Sequence, residues 1–169
     1  QTGNANQDVA DQFRRLLEIL GLEAKWADLM VDWLDADLQP TFPDGGEDPL
    51  YTTQTPPYLP PNGPITSTSE LLALPGFGIE RYRKIQPFVA ALPVGTTINV
   101  CTAPAEVLDS LSATLRQFDA NFLATQRKSK CFPSLGELQQ ALPTDWERIK
   151  GRGSDNTSFF RLTKVTTIG

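Results

Sequence analysis

Seven carboxylates crowd one stretch of the chain, Asp28, Asp32, Asp35, Asp37, Asp44, Glu47 and Asp48, with no Lys or Arg among them. Such a density of like charge repels itself unless a cation sits within it. Calcium (Ca2+) suits this donor set, because it is a hard ion that takes about six to eight oxygens and accepts loop carbonyls alongside carboxylates. Asp35-x-Asp37 leaves a helix and Glu47-Asp48 returns after nine intervening residues, so the loop can close a cage that one helix face cannot. The spacing is not that of an EF-hand. Asp37, Glu47 and Asp48 are the leading metal-ligand candidates, with Asp35 next and loop carbonyls completing the shell. Asp28 and Asp32 are expected to be plain charges on the helix surface. The competing reading of the whole cluster is a solvated acidic loop. Another is a carboxylate hydrolase built on two members such as Asp35 and Glu47, although nothing in the sequence fixes their separation or raises one pKa.

A second constellation runs from Glu70 to Ile85, where Leu74-Pro75-Gly76-Phe77-Gly78 separates two short apolar helical patterns. It has the form of a helix-hairpin-helix, whose turn amides can face a phosphate, with Arg81, Arg83 and Lys84 to supply charge. DNA binding is therefore an alternative reading. The formal charge of -5 and the single basic cluster at this motif weigh instead for a packing hairpin of the sterile-alpha-motif type, since polyanion affinity rests on many Lys and Arg. The chain has no histidine, which removes Ser-His-Asp and Cys-His catalysis and His-ligated metals. Two cysteines cannot make an all-thiolate tetrahedral site. Cys101 and Cys131 lie 30 positions apart, where a disulfide contributes about 3 to 4 kcal/mol by loop closure and implies an oxidising compartment; two separately buried thiols remain open. Asn156-Thr157-Ser158 matches a glycosylation acceptor and Pro56-Pro57-Tyr58 a WW-domain ligand, both patterns frequent by chance. No run of apolar residues is long enough to cross a bilayer.

The elements that must position these groups are mainly helical. Asn6 or Asp8 caps a helix striped by Val9, Phe13, Leu16, Leu17 and Leu20 and stopped by Gly21. A second helix with Leu22, Trp26, Leu29, Met30, Trp33 and Leu34 on one face packs against it as a hairpin. From residue 35 to 64 prolines and glycines suppress periodicity, and this long acidic loop is pinned by Leu50, Tyr51, Tyr58 and Leu59. Ser67 and Glu70 form a capping box for a helix through Leu74, and a further helix runs from about Ile79 to Ile85, which Pro87 then bends or restarts. Thr97 to Val100 is extended, Thr102 and Pro104 open a helix through Leu111, and helices cover Arg116 to Arg127 and Ser134 to Leu142. Thr157 to Ile168 reads as one C-terminal strand with no partner strand nearby. The expected organisation is a first α-helical subdomain over 1–112, a second over 113–150, and a return strand over 151–169. The start at Gln1 rather than Met suggests a processed or excised piece of a longer protein.

Taken as an ordered series, Leu29-Met30-Val31-Asp32-Trp33-Leu34-Asp35-Ala36-Asp37, Gly46-Glu47-Asp48 with Tyr51, Pro56-Pro57-Tyr58, Ser67-x-x-Glu70-Leu71, Leu92-Pro93 and Ile98-Asn99-Val100-Cys101-Thr102-Ala103-Pro104 resembles the K-class minor pseudopilins of type II secretion, the GspK family. The resemblance covers nearly the whole chain, about Phe13 to Phe160. It implies a non-enzymatic periplasmic protein at the tip of the pseudopilus, assembled with the I and J minor pseudopilins and the H one, and in reach of secreted substrates. It also implies an α-domain inserted in a pilin-like α+β fold, with Thr157 to Ile168 returning to the sheet. The parent would be anchored in the inner membrane by an N-terminal helix absent here. Members of the family bind calcium near the Asp-x-Asp and Glu-Asp segments, which fall on Asp35, Asp37, Glu47 and Asp48. Cys101 departs from the Asn that many relatives carry and, with Cys131, suggests a local disulfide staple.

Overall fold

A computed structural model describes residues 7–92 and 102–111. The chain divides into two compact units, Gln1–Ala91 and Leu92–Gly169. In the first unit, α1 (Gln7–Ile19) and α2 (Lys25–Leu34) form the expected hairpin. The turn between them follows from Gly21, whose φ of +66° is a conformation that side chains bearing a Cβ resist. The amide of Leu22 reaches back to the Leu17 carbonyl at 2.8 Å and that of Gly21 to Glu18 at 3.0 Å, the paired bonds that satisfy carbonyls left over at a helix end. Leu16 and Leu17 of α1 are buried, as are Trp26, Leu29, Met30 and Trp33 of α2. Val9, expected on the apolar stripe, is exposed instead.

The acidic excursion is not structureless. Asp48–Thr52 forms a short helix, α3, where the prolines were expected to forbid one. Pro49 stands in its first turn, the one place where a missing amide proton removes no helical bond. This turn carries Tyr51 into the core with no exposed surface. Its ring meets Trp33 at 5.3 Å and Tyr58 at 5.6 Å between centroids, and the Tyr58 hydroxyl donates to the Ala73 carbonyl. Leu50 and Tyr58 pack on the same core, whereas Leu59 stays exposed. Tyr58 is thus consumed by its own domain, and the Pro56-Pro57-Tyr58 segment does not offer a WW ligand.

The capping box is present: Ser67 N–H donates to Glu70 Oε1 at 3.2 Å while the Ser67 hydroxyl accepts in return. It opens a 3-10 helix over Thr68–Ala73 rather than an α-helix. Phe77, fully buried in the following turn, meets Trp26 edge to face at 5.2 Å. Beyond it, α4 (Gly78–Ile85) gives way to a 3-10 turn at Gln86–Phe88, as Pro87 requires. In the second unit, α5 (Ala105–Asp109) follows Pro104 and buries Val107 and Leu108. The described residues include no strand. The extended segment 97–100, the helices over 116–127 and 134–142, the strand over 157–168, Cys101, Cys131 and Asn156 lie outside the described residues.

The turn makes a quantitative prediction. A Cβ at Gly21 would find only the flexible end of Lys84, 3.6 Å away, so Gly21→Ala suffers from the backbone conformation alone. The expected cost is about 1 kcal/mol, seen as a fall of roughly 2 to 4 °C in the thermal midpoint.

Candidate metal centre

The end of α2 and the start of α3 bring three carboxylates together. Asp32 and Asp35 are three residues apart and so share a face at the C-terminal end of α2, Asp35 being the cap residue whose amide bonds the Val31 carbonyl at 2.9 Å. Glu47 is the residue that leads into α3. One carboxylate oxygen from each of Asp32, Asp35 and Glu47 lies within 4.8 Å of the other two, and all three residues are buried, at 0, 6 and 4% exposure.

The loop folds over Asp32 because its backbone supplies the donors. The Thr41 amide reaches both oxygens of Asp32, at 3.0 and 3.1 Å, and the Gly45 amide turns back to the Thr41 carbonyl at 2.7 Å. A Cβ on Gly45 would overlap the Asp32 carboxylate and stand 2.5 Å from the Thr41 backbone, so only glycine fits this close approach. Asp35 has one such partner, the Asp37 backbone, and Glu47 has none. Asp35 Oδ1, both oxygens of Glu47 and the Tyr51 hydroxyl are buried without a hydrogen bond.

Unpartnered buried carboxylates hold their protons. Burial, then repulsion from Asp32, Asp35, Asp37 and Asp48, pushes Glu47 up to about 7. Burial, then Asp37 and Asp32, pushes Asp35 up to about 6. Burial also raises Asp32, opposed by hydrogen bonds from Thr41 and Gly46. Burial pushes the Tyr51 hydroxyl up as well.

Of the four residues expected to hold a cation, Asp35 and Glu47 are brought together. Asp37 is exposed and its Oδ1 accepts from the Gln39 amide at 2.8 Å; Asp48 is half-buried in the first turn of α3. Both stand close enough to repel Glu47. Asp32 is the member that sequence reasoning placed on the surface, and the structure corrects this because the loop covers it. Asp28, also expected on the surface, is buried against Arg14, with Nε to Oδ1 at 2.9 Å. The donor set of Asp32, Asp35 and Glu47 is all oxygen, which suits a hard divalent ion and lacks the nitrogen and sulfur that zinc prefers. Three oxygens without hydrogen bonds on two facing residues fit the group that the sequence implies.

The raised carboxyls fix the sign of a pH effect in cation-free buffer. Between the ordinary Glu value of 4.5 and the folded value of about 7, the native chain holds more protons than the unfolded chain, so stability falls as pH rises. Asp35 adds the same slope between 3.8 and about 6. Glu23 and Glu70, both lowered by hydrogen bonds, act oppositely below about pH 4.5. Thermal midpoints in chelator from about pH 5 to 8 should therefore decline, and Glu47→Gln should flatten the decline. A midpoint that rises over that range contradicts the assignment.

Comparison with known proteins places this geometry in a family. A family model described as type II secretion system (T2SS), protein K, matches residues 1–94. The type II secretion system protein K of Pseudomonas aeruginosa is 39% identical over 108 residues, covering 62% of this chain and 32% of the relative. That of Pectobacterium carotovorum subsp. carotovorum is 35% identical over 140 residues, covering 78% and 42%. The chain thus spans less than half the length of these curated relatives. Among solved structures, the GspK-GspI-GspJ complex from the enterotoxigenic Escherichia coli type 2 secretion system contains a similar fold, with a TM-score of 0.66 and 24% identity over 82% of this chain and 50% of that one. The matched family model takes in α1 to α4 and all three clustered carboxylates, and the chain belongs to the type II secretion system protein K family.

Proposed function

We propose that this chain is a helical part of a non-enzymatic minor pseudopilin that sits at the periplasmic tip of the type II secretion pseudopilus and supports export of folded proteins. Its partners are the I and J minor pseudopilins, with the H one and secreted proteins as further partners. Family membership carries this reading, and the fold shared with a chain of the GspK-GspI-GspJ complex supports it. The helical region is an insert in a pilin-like fold, and the longer parent is anchored in the inner membrane by an N-terminal helix. Among the described residues no helix is long and apolar enough to cross a membrane.

Calcium stabilises the cap by occupying the carboxylate cluster, and the unpartnered oxygens of Asp35 and Glu47 are the observation behind this. A bound calcium supplies positive charge where three carboxylates converge. Asp32 orients the loop through Thr41, while Asp35 and Glu47 offer free lone pairs from opposite ends of the excursion. Asp37 and Asp48 adjoin the site and complete the shell with loop carbonyls.

The DNA-binding alternative loses Arg81 to the fold. Arg81 is held by both carboxylate oxygens of Glu23 at 3.2 Å, bonds the Gly76 and Phe77 carbonyls and covers the Trp26 ring; Arg83 pairs with Glu80. Burial likewise argues against a hydrolase at Asp35 and Glu47, whose carboxyls leave no surface for a substrate to reach.

Two measurements test this function. Co-expression with the I and J subunits of the same system should yield a stable ternary complex; separate elution of this chain at micromolar concentration contradicts the tip assignment. Calcium added after chelation should stabilise the fold by about 2.7 kcal/mol at a hundredfold excess over Kd. Glu47→Gln should abolish that gain while stabilising the chelated chain, and the absence of any calcium-dependent heat or thermal shift removes the ion.

A further inference from the structure

The acidic excursion ends in a feature that neither the core nor the carboxylate cluster uses. Phe42 is 90% exposed and Leu38 is 66% exposed. Both lie between Asp35 and Gly45, flanked by Pro40 and Pro43 and by the exposed carboxylates of Asp37 and Asp44. We propose that this loop tip is a docking surface, with Phe42 as its anchor, for a protein partner presenting an apolar pocket rimmed by Lys and Arg.

Three observations support this. First, Phe42 is held out rather than left over. Its neighbour Thr41 is fastened through its amide to Asp32 and through its carbonyl to the Gly45 amide, and proline follows directly at position 43. A side chain presented from a backbone already fixed at both sides loses little further freedom on binding. Second, the side chain is the right kind. Buried aromatic anchors carry a large share of protein interface energy, whereas the exposed Leu59, Ile79 and Leu92 are the scattered aliphatics that any surface shows.

Third, charge specifies the partner. From Trp26 to Glu80 the sequence has nine acids and no Lys or Arg across 55 residues. Of these, Asp28 is paired with Arg14, and Asp32, Asp35 and Glu47 are buried, which leaves Asp37 and Asp44 as the exposed acids beside Phe42. Anionic lipid surfaces and nucleic acids are thereby disfavoured, since both attract basic segments. A pocket with a cationic rim is the complement. Among the described residues Arg83 and Lys84 near Ile79 on α4 are a candidate for such a rim, so a second copy must be distinguished from a different protein.

The test uses the full 169-residue chain and two sets of synthetic peptides with the same Leu/Phe centre, flanked by Lys/Arg in one set and by Asp/Glu in the other. Fluorescence anisotropy should show binding by the cationic set alone, weakened by added salt. Phe42→Ser should weaken it about tenfold or more, equivalent to about 1.4 kcal/mol, while Leu59→Ser leaves it unchanged, both variants keeping the parental thermal midpoint. Equal binding of the two sets, or unchanged binding by Phe42→Ser, overturns the proposal. Phe42-dependent self-association in sedimentation, without peptide discrimination, also overturns it by giving the surface to a second copy. Binding that persists in chelator sustains the docking surface even where the calcium reading fails.

Discussion

Three carboxylates confined within 4.8 Å of one another, all but removed from water, form the constraint around which the acidic excursion is arranged. Two unit charges at about 4 Å repel by about 4 kcal/mol at the dielectric typical near a protein surface, and burial adds to that. Every nearby element answers this repulsion in its own way. Arg14 neutralises Asp28 one turn earlier on α2. Thr41 and Gly46 solvate Asp32 with backbone amides. Asp35 has one such bond, from the Asp37 backbone, and Glu47 has none among the described residues; both keep their protons to near-neutral pH.

The cluster is tied to the core by adjacency along the chain. Asp32 is followed by Trp33, and Glu47 opens the short helix that buries Tyr51. The Trp33 and Tyr51 rings meet, and Tyr58 extends the stack to the Ala73 carbonyl. Trp33 also donates its indole N–H to Glu70 of the capping box at 3.2 Å. A displacement of Glu47 relative to Asp35 therefore moves α3 relative to α2, and with it the aromatic stack that fastens the loop to the 3-10 helix. Charge at the cluster and packing in the core are coupled through one peptide bond on α2, Asp32 to Trp33, and about one helical turn at α3, Glu47 to Tyr51, rather than through a long path.

The parts of this arrangement governed by near neighbours were legible in the sequence. The α1 and α2 hairpin follows from apolar spacing and one glycine, and the capping box from Ser67 and Glu70 three residues apart. Asp35, Asp37, Glu47 and Asp48 stood out together because acids without counterions flank a Pro/Gly segment, and nothing local separated the buried Asp35 and Glu47 from the exposed Asp37 and half-buried Asp48. The remainder depended on contacts distant in sequence. Pro49 reads as a breaker until its place in a first turn is known. Asp32 sits beside the apolar face of α2 and reads as solvated, because nothing local says that Thr41 and Gly45 will fold over it. Gly45 itself reads as loop composition, although its missing Cβ is what admits the carboxylate.

The division of labour among the carboxylates also bears on what kind of ion the cluster can take. An ion that demanded a rigid, complete cage would need all donors fixed in advance, whereas here Asp32 is held through both oxygens and Glu47 through neither. Asp35 and Glu47 retain unbonded oxygens and approach from separate elements. A donor set that is one part anchored and two parts adjustable matches the variable coordination of calcium better than the strict octahedron of magnesium. The same asymmetry assigns different consequences to each residue. Asp32 sets where the loop lies, while Asp35 and Glu47, both raised by burial and by neighbouring carboxylates, carry the unrelieved repulsion.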